Sequence, residues 1–295
     1  VYEECAFHVL NDLWSRTKSS NLCLAGGCAM NSVANGKVRE NTPFSDVYIQ
    51  PAAADSGTAL GAAYQVWNQI LKKPRGFVMT HGYWGTQYPR ADISHLVTAR
   101  SDNEWRFTCE KFSEGELFDE TARLISEGNV VGWFQGRMEW GARALGNRSI
   151  LADARRADMR ELINTRIKFR EKFRPFAPSI LEEAMDEYFV GAAADPFMQQ
   201  VYPVREEKRS VLPAITHVDG SGRLQTVSAE TNPRYYKLIS AFGRLTGVPV
   251  LLNTSFNENE PIVDTPEQAL DCFFRTRMDV IVVNDWIVRR HPNRD

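Results

Sequence analysis

Apolar residues at Tyr2, Cys5, Val9 and Leu13 recur every three or four positions, the period of a helix with one buried face. The short apolar run NLCLA at 21–25 predicts a strand that ends at Gly26 and Gly27 and feeds a helix to about residue 37. DVYIQ at 46–50 predicts a second strand, followed through PAAADSG by a helix over 58–71 that stops before Pro74. The small residues of TALGAAYQVW suit close packing of that helix on a sheet. Residues 73–104 keep no sustained period and carry several Gly, Pro and aromatic positions, so they read as a crossing between two units.

Beyond the crossing, the pattern predicts a helix over 117–126 stopped by Gly128, then an apolar strand over 130–134. A Gly- and Arg-rich stretch follows, then a helix from about 157 to 167. Two extended runs flank Asp219, Gly220, Ser221 and Gly222, which predicts a hairpin there. A helix over 233–245 precedes a strand over 248–252, and Thr265 with Pro266 opens another helix as cap and first-turn proline. The end, DVIVVNDWIVRR, predicts a hairpin turning at Asn284 and Asp285. Both parts are α/β in class, with units expected over 1–90 and 105–290.

The 295 residues fit about two domains, and 43% hydrophobic with 24% charged residues is ordinary for a globular chain that buries a real core. No apolar run approaches the roughly 18 residues of a membrane span, which excludes an integral helical membrane protein. Glu3 and Glu4 stand where a signal peptide would be basic, and the start in mid-helix without an initiator Met predicts a missing N-terminal part. Cys5, Cys23, Cys28, Cys109 and Cys272 are odd in number, scattered and never in C-x-x-C spacing. They fit buried thiols in a reducing cytoplasm better than disulfides or a zinc site.

Charge changes the picture. Between Arg137 and Arg174 stand eleven Lys or Arg against five acids, a local +6 in a chain whose total is −2. A compact basic island in an otherwise acidic chain points to a confined anionic ligand more than to long nucleic acid. Guanidinium forks suit phosphate and carboxylate, and the glycines of GRMEWGARALGNRS let backbone approach a ligand closely. Arg155, Arg156, Arg160 and Arg166 read instead as a solvated, ion-paired helix face, whereas Arg143, Lys168 and Arg174, flanked by Gly, Phe or Pro, read as ligand-facing. In LLNTSFNENEPIV a strand emits Asn253, Thr254, Ser255 and Asn257, polar groups suited to holding a ligand or to forming a turn. Gly26 and Gly27 between strand and helix would aim N–H groups at a phosphate. Asp55 is a helix cap or a cation ligand. There is no G-x-S-x-G, Walker A or G-x-G-x-x-G sequence, and no histidine pair has i, i+4 metal spacing.

Six blocks occur in order: GGCAMNSVANGKV, DVYIQPAAADSGTALGAA, GRMEWGARALGNRSILADAR, INTRIKFREKFRPFAPSIL, RLQTV and VPVLLNTSFNENEPIV. This series resembles the NodU/CmcH-type O-carbamoyltransferases. The resemblance implies part of an actin-like, sugar-kinase-like domain followed by an α/β twisted-sheet domain resembling threonylcarbamoyl-adenylate synthase. It implies condensation of carbamoyl phosphate with ATP and Mg2+ into carbamoyl-adenylate and pyrophosphate, then carbamoyl transfer to a hydroxyl of a sugar or natural-product acceptor. It assigns Arg143, Lys168, Arg174 and Arg223 to the phosphates, Asn253 and Ser255 to the carbamoyl or phosphoryl oxygens, and Gly26, Gly27 and Asn31 to the adenylate. Asp55 corresponds to a carboxylate ligand of iron (Fe2+). The family's two histidine ligands, acceptor-binding residues and general base belong to a half-domain outside this sequence, so Asp55 alone is not expected to hold iron. An incomplete actin-like unit would also expose apolar surface and self-associate as a homo-oligomer. The alternative is an RNA-modifying or RNA-binding module related to tRNA threonylcarbamoylation, which the pI near 6.3 and the lack of a long basic arm disfavour.

Overall fold

The computed structural model describes residues 1–101 and 107–291. It begins with α1 (Tyr2–Thr17), β1 (Asn21–Leu24), the short helices α2 (Ser32–Gly36) and α3 (Val38–Asn41), β2 (Asp46–Ile49) and α4 (Thr58–Tyr64). β1 and β2 form a two-stranded parallel sheet. Leu22, Val38 and Phe44 pack beneath α1 residues Phe7, Leu10 and Trp14. The helix expected over 27–37 is instead broken into a tight turn, Gly27–Met30, and two short helices. Asn31 causes one break by capping α2, its side chain accepting the Ala34 N–H at 3.2 Å. α4 gives way at Gln65 to a π-helical turn, Gln65–Ile70, rather than running on to residue 71.

Next come α5 (Arg90–Ser101), β3 (Phe107–Lys111), α6 (Glu114–Ser126), β4 (Val131–Phe134), β5 (Arg148–Asp153), α7 (Met159–Arg166) and β6 (Ala177–Leu181). The chain continues through α8 (Met185–Tyr188), β7 (Gln200–Pro203), α9 (Glu206–Arg209) and β8 (Ser221–Val227). It ends with α10 (Pro233–Thr246), β9 (Val250–Ser255), α11 (Pro266–Arg275), β10 (Val280–Val283) and β11 (Trp286–Arg290). Among the described residues, nine strands form one mixed sheet in the order β3-β11-β10-β4-β5-β9-β6-β8-β7, within which β10 with β4 and β6 with β8 run parallel and the other pairs antiparallel. Alternating residues feed two cores: Trp133, Leu151 and Leu251 face α6 and α10, whereas Phe134, Ile150 and Leu252 face α5, α7 and α11. Caps fix the helix starts: Ser113 and Glu116 at α6, Asn232 before Pro233 at α10, and Thr265 with Gln268 at α11.

Two further expectations change. Residues 90–101 are not plain crossing: α5 buries Ile93 and Val97 in the core of the large sheet. The stretch before Asp219 is helical and turned rather than extended, so β8 pairs with β7 across residues 204–220 and not with a hairpin mate. β5 and β6 were hidden because β5 is buried along its whole length and so does not alternate, and because Pro178 sits inside β6. The terminal hairpin turns at Asn284, whose φ of 53° suits a tight two-residue turn. Among the described residues no helix is long and apolar enough to cross a membrane.

Candidate active site

The site grows from the connection between β4 and β5. Glu139 is buried there and its Oε1 accepts the N–H groups of Leu145 (2.6 Å), Asn147 (2.8 Å) and Arg148 (3.2 Å). One carboxylate thus folds the connection back on itself. Two glycines permit the fold. Gly141, with φ of 134°, leaves no room for a Cβ, which would stand 2.7 Å from the Pro51 carbonyl; Gly146, with φ of 101°, presses on the Tyr235 ring. Residues 82–86 pair with the same connection, through Trp140 N–H to Gly82 O (2.6 Å) and Gly85 N–H to Met138 O (2.9 Å). The Tyr83 hydroxyl donates to Leu145 O at 2.9 Å. Arg143 is therefore presented on a braced backbone.

Beneath it lies a polar seam across three strands. Asn253 on β9 donates to Ala144 O (3.1 Å), Ser179 Oγ on β6 (3.0 Å) and Gln225 Oε1 on β8 (3.0 Å). Ser179 donates to Gln225 at 2.6 Å, and Gln225 donates on to Leu145 O at 2.8 Å. The Asn253 carbonyl oxygen is buried without a partner, as are the Nε atoms of Arg143 and Arg223. Buried polar groups are normally satisfied, and these three unmet groups, with Glu139 Oε2 in the same connection, are free to meet a ligand. Asn253 and Ser255 lie two residues apart on β9 and leave on one side of the sheet.

The cations converge without being equivalent. Burial pushes Arg223 down to about 9, and Arg143 and Arg170 push it the same way, while Asp195 opposes them. Burial lowers Arg143 too, again opposed by Asp195. Arg170 is lowered by burial and by Arg174, and its guanidinium lies 4.9 Å from the Phe176 ring. Arg143 and Arg170 depress Arg223, and Arg174 depresses Arg170, so like charges share a poorly hydrated space, which an anion would relieve. Lys168 is 3% exposed, and burial followed by Arg170 pushes it down to about 7. Its ammonium donates to Ser255 O (2.6 Å), Asn257 O (2.7 Å), Asn257 Oδ1 (2.6 Å) and Ser255 Oγ (3.3 Å). Four oxygens surround three protons, so Lys168 holds the exit of β9 in place here. Arg174 is more than half exposed and pairs with Glu171 at 3.0 Å.

The rest of the basic island divides by burial. Arg155 pairs with Asp153 and Arg156 with Asp158, the ion-paired reading of those two. Arg148, fully buried, donates to Gln135 O at 2.6 Å and stacks 3.7 Å from the Phe134 ring, a structural cation that sequence did not separate from the others. Glu139, Arg170, Ser179, Asp195 and Gln225 were also missed. Gln225 stands inside the RLQTV block, whereas nothing local marks Asp195.

In the first unit, Gly26 needs its φ of 100°, but its N–H is taken by Ala53 O at 2.6 Å. Gly27 opens the following turn with free space where a side chain would be. Asp55 is exposed at the start of a short turn, Asp55–Gly57, and its side chain caps no helix. No cluster of three His, Cys, Asp or Glu that could hold a metal occurs among the described residues. One exposed carboxylate does not make an iron site. A groove of about 760 Å³ beside α4 is lined by Tyr48, Tyr64, Trp67 and Phe77; none of the predicted site residues lines it.

A family model described as the carbamoyltransferase C-terminus matches residues 122–290, and one described as the carbamoyltransferase N-terminus matches residues 1–64. The chain belongs to the carbamoyltransferase family. The carbamoyltransferase resemblance carried by the six sequence blocks is thereby borne out. The chain is 43% identical to the uncharacterized protein sll1178 of Synechocystis, over all of this chain and 52% of that protein. It is 44% identical to the nodulation protein NolO of Bradyrhizobium diazoefficiens, over 98% of this chain and 53% of that protein. It is 36% identical to the 3'-hydroxymethylcephem-O-carbamoyltransferase of Streptomyces clavuligerus, over 91% of this chain and 49% of that protein. The chain spans about half the length of these curated relatives. The C-terminal match takes in Arg143, Lys168, Arg223, Asn253 and Asp195, and the N-terminal match takes in Gly26, Gly27, Asn31 and Asp55.

Proposed function

We propose that the nine-stranded unit forms carbamoyl-adenylate from carbamoyl phosphate and ATP with Mg2+, within an enzyme that passes the carbamoyl group to a hydroxyl of a sugar or natural-product acceptor. The observation that carries this reading is the set of buried, unpartnered donors and acceptor on Arg143, Arg223 and Asn253. The donors suit phosphate oxygens, and the Asn253 carbonyl oxygen suits the carbamoyl N–H. Atom balance requires one water to release inorganic phosphate from carbamoyl phosphate. The carbamate oxygen then attacks the α-phosphorus of ATP, and the bond to the β-phosphate breaks as pyrophosphate leaves. Arg143 and Arg223 would bind the phosphates and offset charge on the leaving pyrophosphate. Lys168 would keep Ser255 and Asn257 oriented. The name of the cephem relative, an O-carbamoyltransferase of a hydroxymethyl compound, supports a hydroxyl acceptor.

The test is pyrophosphate release from ATP with and without carbamoyl phosphate, in the chain and in Arg143→Ala and Arg223→Ala variants. Release that depends on carbamoyl phosphate is expected, with a fall of about 100-fold or more in each variant, the effect of removing one preorganised donor from a dry site. Equal release without carbamoyl phosphate, or release indifferent to both substitutions, would refute the reading.

A further inference from the structure

Asn164 lies on α7, is fully buried, and commits its whole side-chain amide to the loop that follows the helix. Its Nδ2 donates to Arg174 O at 3.0 Å and Lys172 O at 3.3 Å, and its Oδ1 accepts Arg170 Nε at 2.7 Å. Its main-chain carbonyl accepts the Arg170 N–H at 3.1 Å. The chain doubles back onto α7 through Phe169, whose φ of 43° makes the reversal. The other ties of this loop, Lys172 to Glu161 and Arg174 to Glu171, join exposed side chains and hold it weakly. Arg170 is thereby fixed on two sides: one edge on Asn164, and its face 4.9 Å from the ring of buried Phe176. Among the described residues no oxygen meets its two η nitrogens, the fork that suits a phosphate. Phe176 leads into β6, where Ala177 stands opposite Asn253 of β9. Lys168, two residues before Arg170, donates to Ser255 O of the same strand at 2.6 Å. The loop that Asn164 closes is thus stitched to the strand exit that carries the polar groups of the site.

We infer that Asn164 is a positioning residue: its amide closes the 168–174 loop and holds the Arg170 fork ready beside the exit of β9, so that an arriving phosphate group meets a guanidinium already in place. This rests on the cationic site taking a phosphate-bearing ligand, as proposed above. An arginine on an open loop loses rotamer freedom on meeting a ligand, whereas one held by its Nε and its face has lost that freedom already. Asparagine suits the task because one short side chain supplies two donors for the carbonyls and one acceptor for the guanidinium. Removing the amide leaves the Arg170 charge but loosens its aim, so the anion binds more weakly only while Arg170 is present. A merely structural Asn164 predicts something else: a smaller folded fraction, and so a lower binding stoichiometry, at an unchanged Kd.

The experiment is calorimetric titration with pyrophosphate and with inorganic phosphate at pH 8, on wild type, Asn164→Ala, Arg170→Ala and the double variant. Arg170→Ala is expected to weaken pyrophosphate binding about 10- to 100-fold, the loss of a charge-assisted fork. Asn164→Ala should weaken it about tenfold through lost preorganisation, and should add less than about twofold to Arg170→Ala, because residues in contact are not additive. If Asn164→Ala does not fold, Asn164→Ser carries the same expectation, since one hydroxyl cannot replace all three contacts of the amide. Arg170→Ala leaves the buried amide untouched and tests the inference in either case. Arg170→Ala binding within about twofold of wild type, Asn164→Ala with an unchanged Kd, or an equal loss from Asn164→Ala in both backgrounds overturns the inference. Wild type that binds neither anion overturns the underlying site instead.

Discussion

Replacing Lys168 by Met removes an ammonium that touches four oxygens and is almost wholly shielded from water. Two of those oxygens are main-chain carbonyls: Ser255 O keeps the Asn257 N–H at 3.0 Å, whereas Asn257 O loses its donor, which costs about 1–3 kcal/mol. Against an uncharged lysine, then, Lys168→Met should lose about 1–3 kcal/mol of stability. The charged lysine is a different comparison. Because Lys168 is pushed down to about 7 in the fold and titrates near 10.4 in an unfolded chain, the unfolded chain binds more protons between those values. Wild-type stability therefore rises with pH through that window, by up to about 1.4 kcal/mol per unit, while the Met variant lacks this contribution. The gap between the two should be small or reversed at pH 6 and should widen steadily from pH 7.5 to 9.5. Urea unfolding of both proteins at several pH values, followed by tryptophan fluorescence, measures it. A gap that stays flat or narrows with rising pH would mean that the carbonyl oxygens around Nζ outweigh the burial of the charge, and the reasoning would fail.

Other outcomes follow from single contacts. Gly146→Ala would force a Cβ within 2.1 Å of the buried Tyr235 ring at a φ of 101°, so strain and overpacking together should cost about 3–5 kcal/mol in chemical denaturation; a cost below about 1 kcal/mol would show that Tyr235 has room to move. Phe169 is 58% exposed and holds a φ of 43°, so Phe169→Gly should raise the denaturation midpoint by relieving about 1 kcal/mol of backbone strain; a lowered midpoint would show that the ring carries contacts worth more. Arg143→Gln and Arg223→Gln should each weaken pyrophosphate binding about 10- to 100-fold by calorimetry, whereas Arg155→Gln, whose partner is Asp153, should leave it unchanged.

Strongly periodic segments were legible because periodicity is a local property. The capped helices α6, α10 and α11 and the terminal hairpin emerged where their patterns and turn residues place them. The basic island and the polar exit at Asn253 and Ser255 were equally visible, since charge density and residue type need no coordinates. Gly26 shows how far this goes. Its need for positive φ is readable from a strand-to-helix turn, but that its N–H is taken by Ala53 is not, because Ala53 lies twenty-seven residues away.

The sequence by itself determined the α/β class, the family and the stretch of chain that carries the cations, because these rest on local pattern and residue type. Only the tertiary structure separated the cations by task. Arg148 and Lys168 commit their donors to backbone oxygens, Arg174 pairs with Glu171 near water, and Arg143 and Arg223 keep buried donors unmet. Gln225 reaches this site from a distant strand position, and its part in it exists only once β6, β8 and β9 lie side by side. The physical reason is that a charge's role depends on its desolvation and on what lies within a few ångströms, and both are set by packing between segments far apart in the chain.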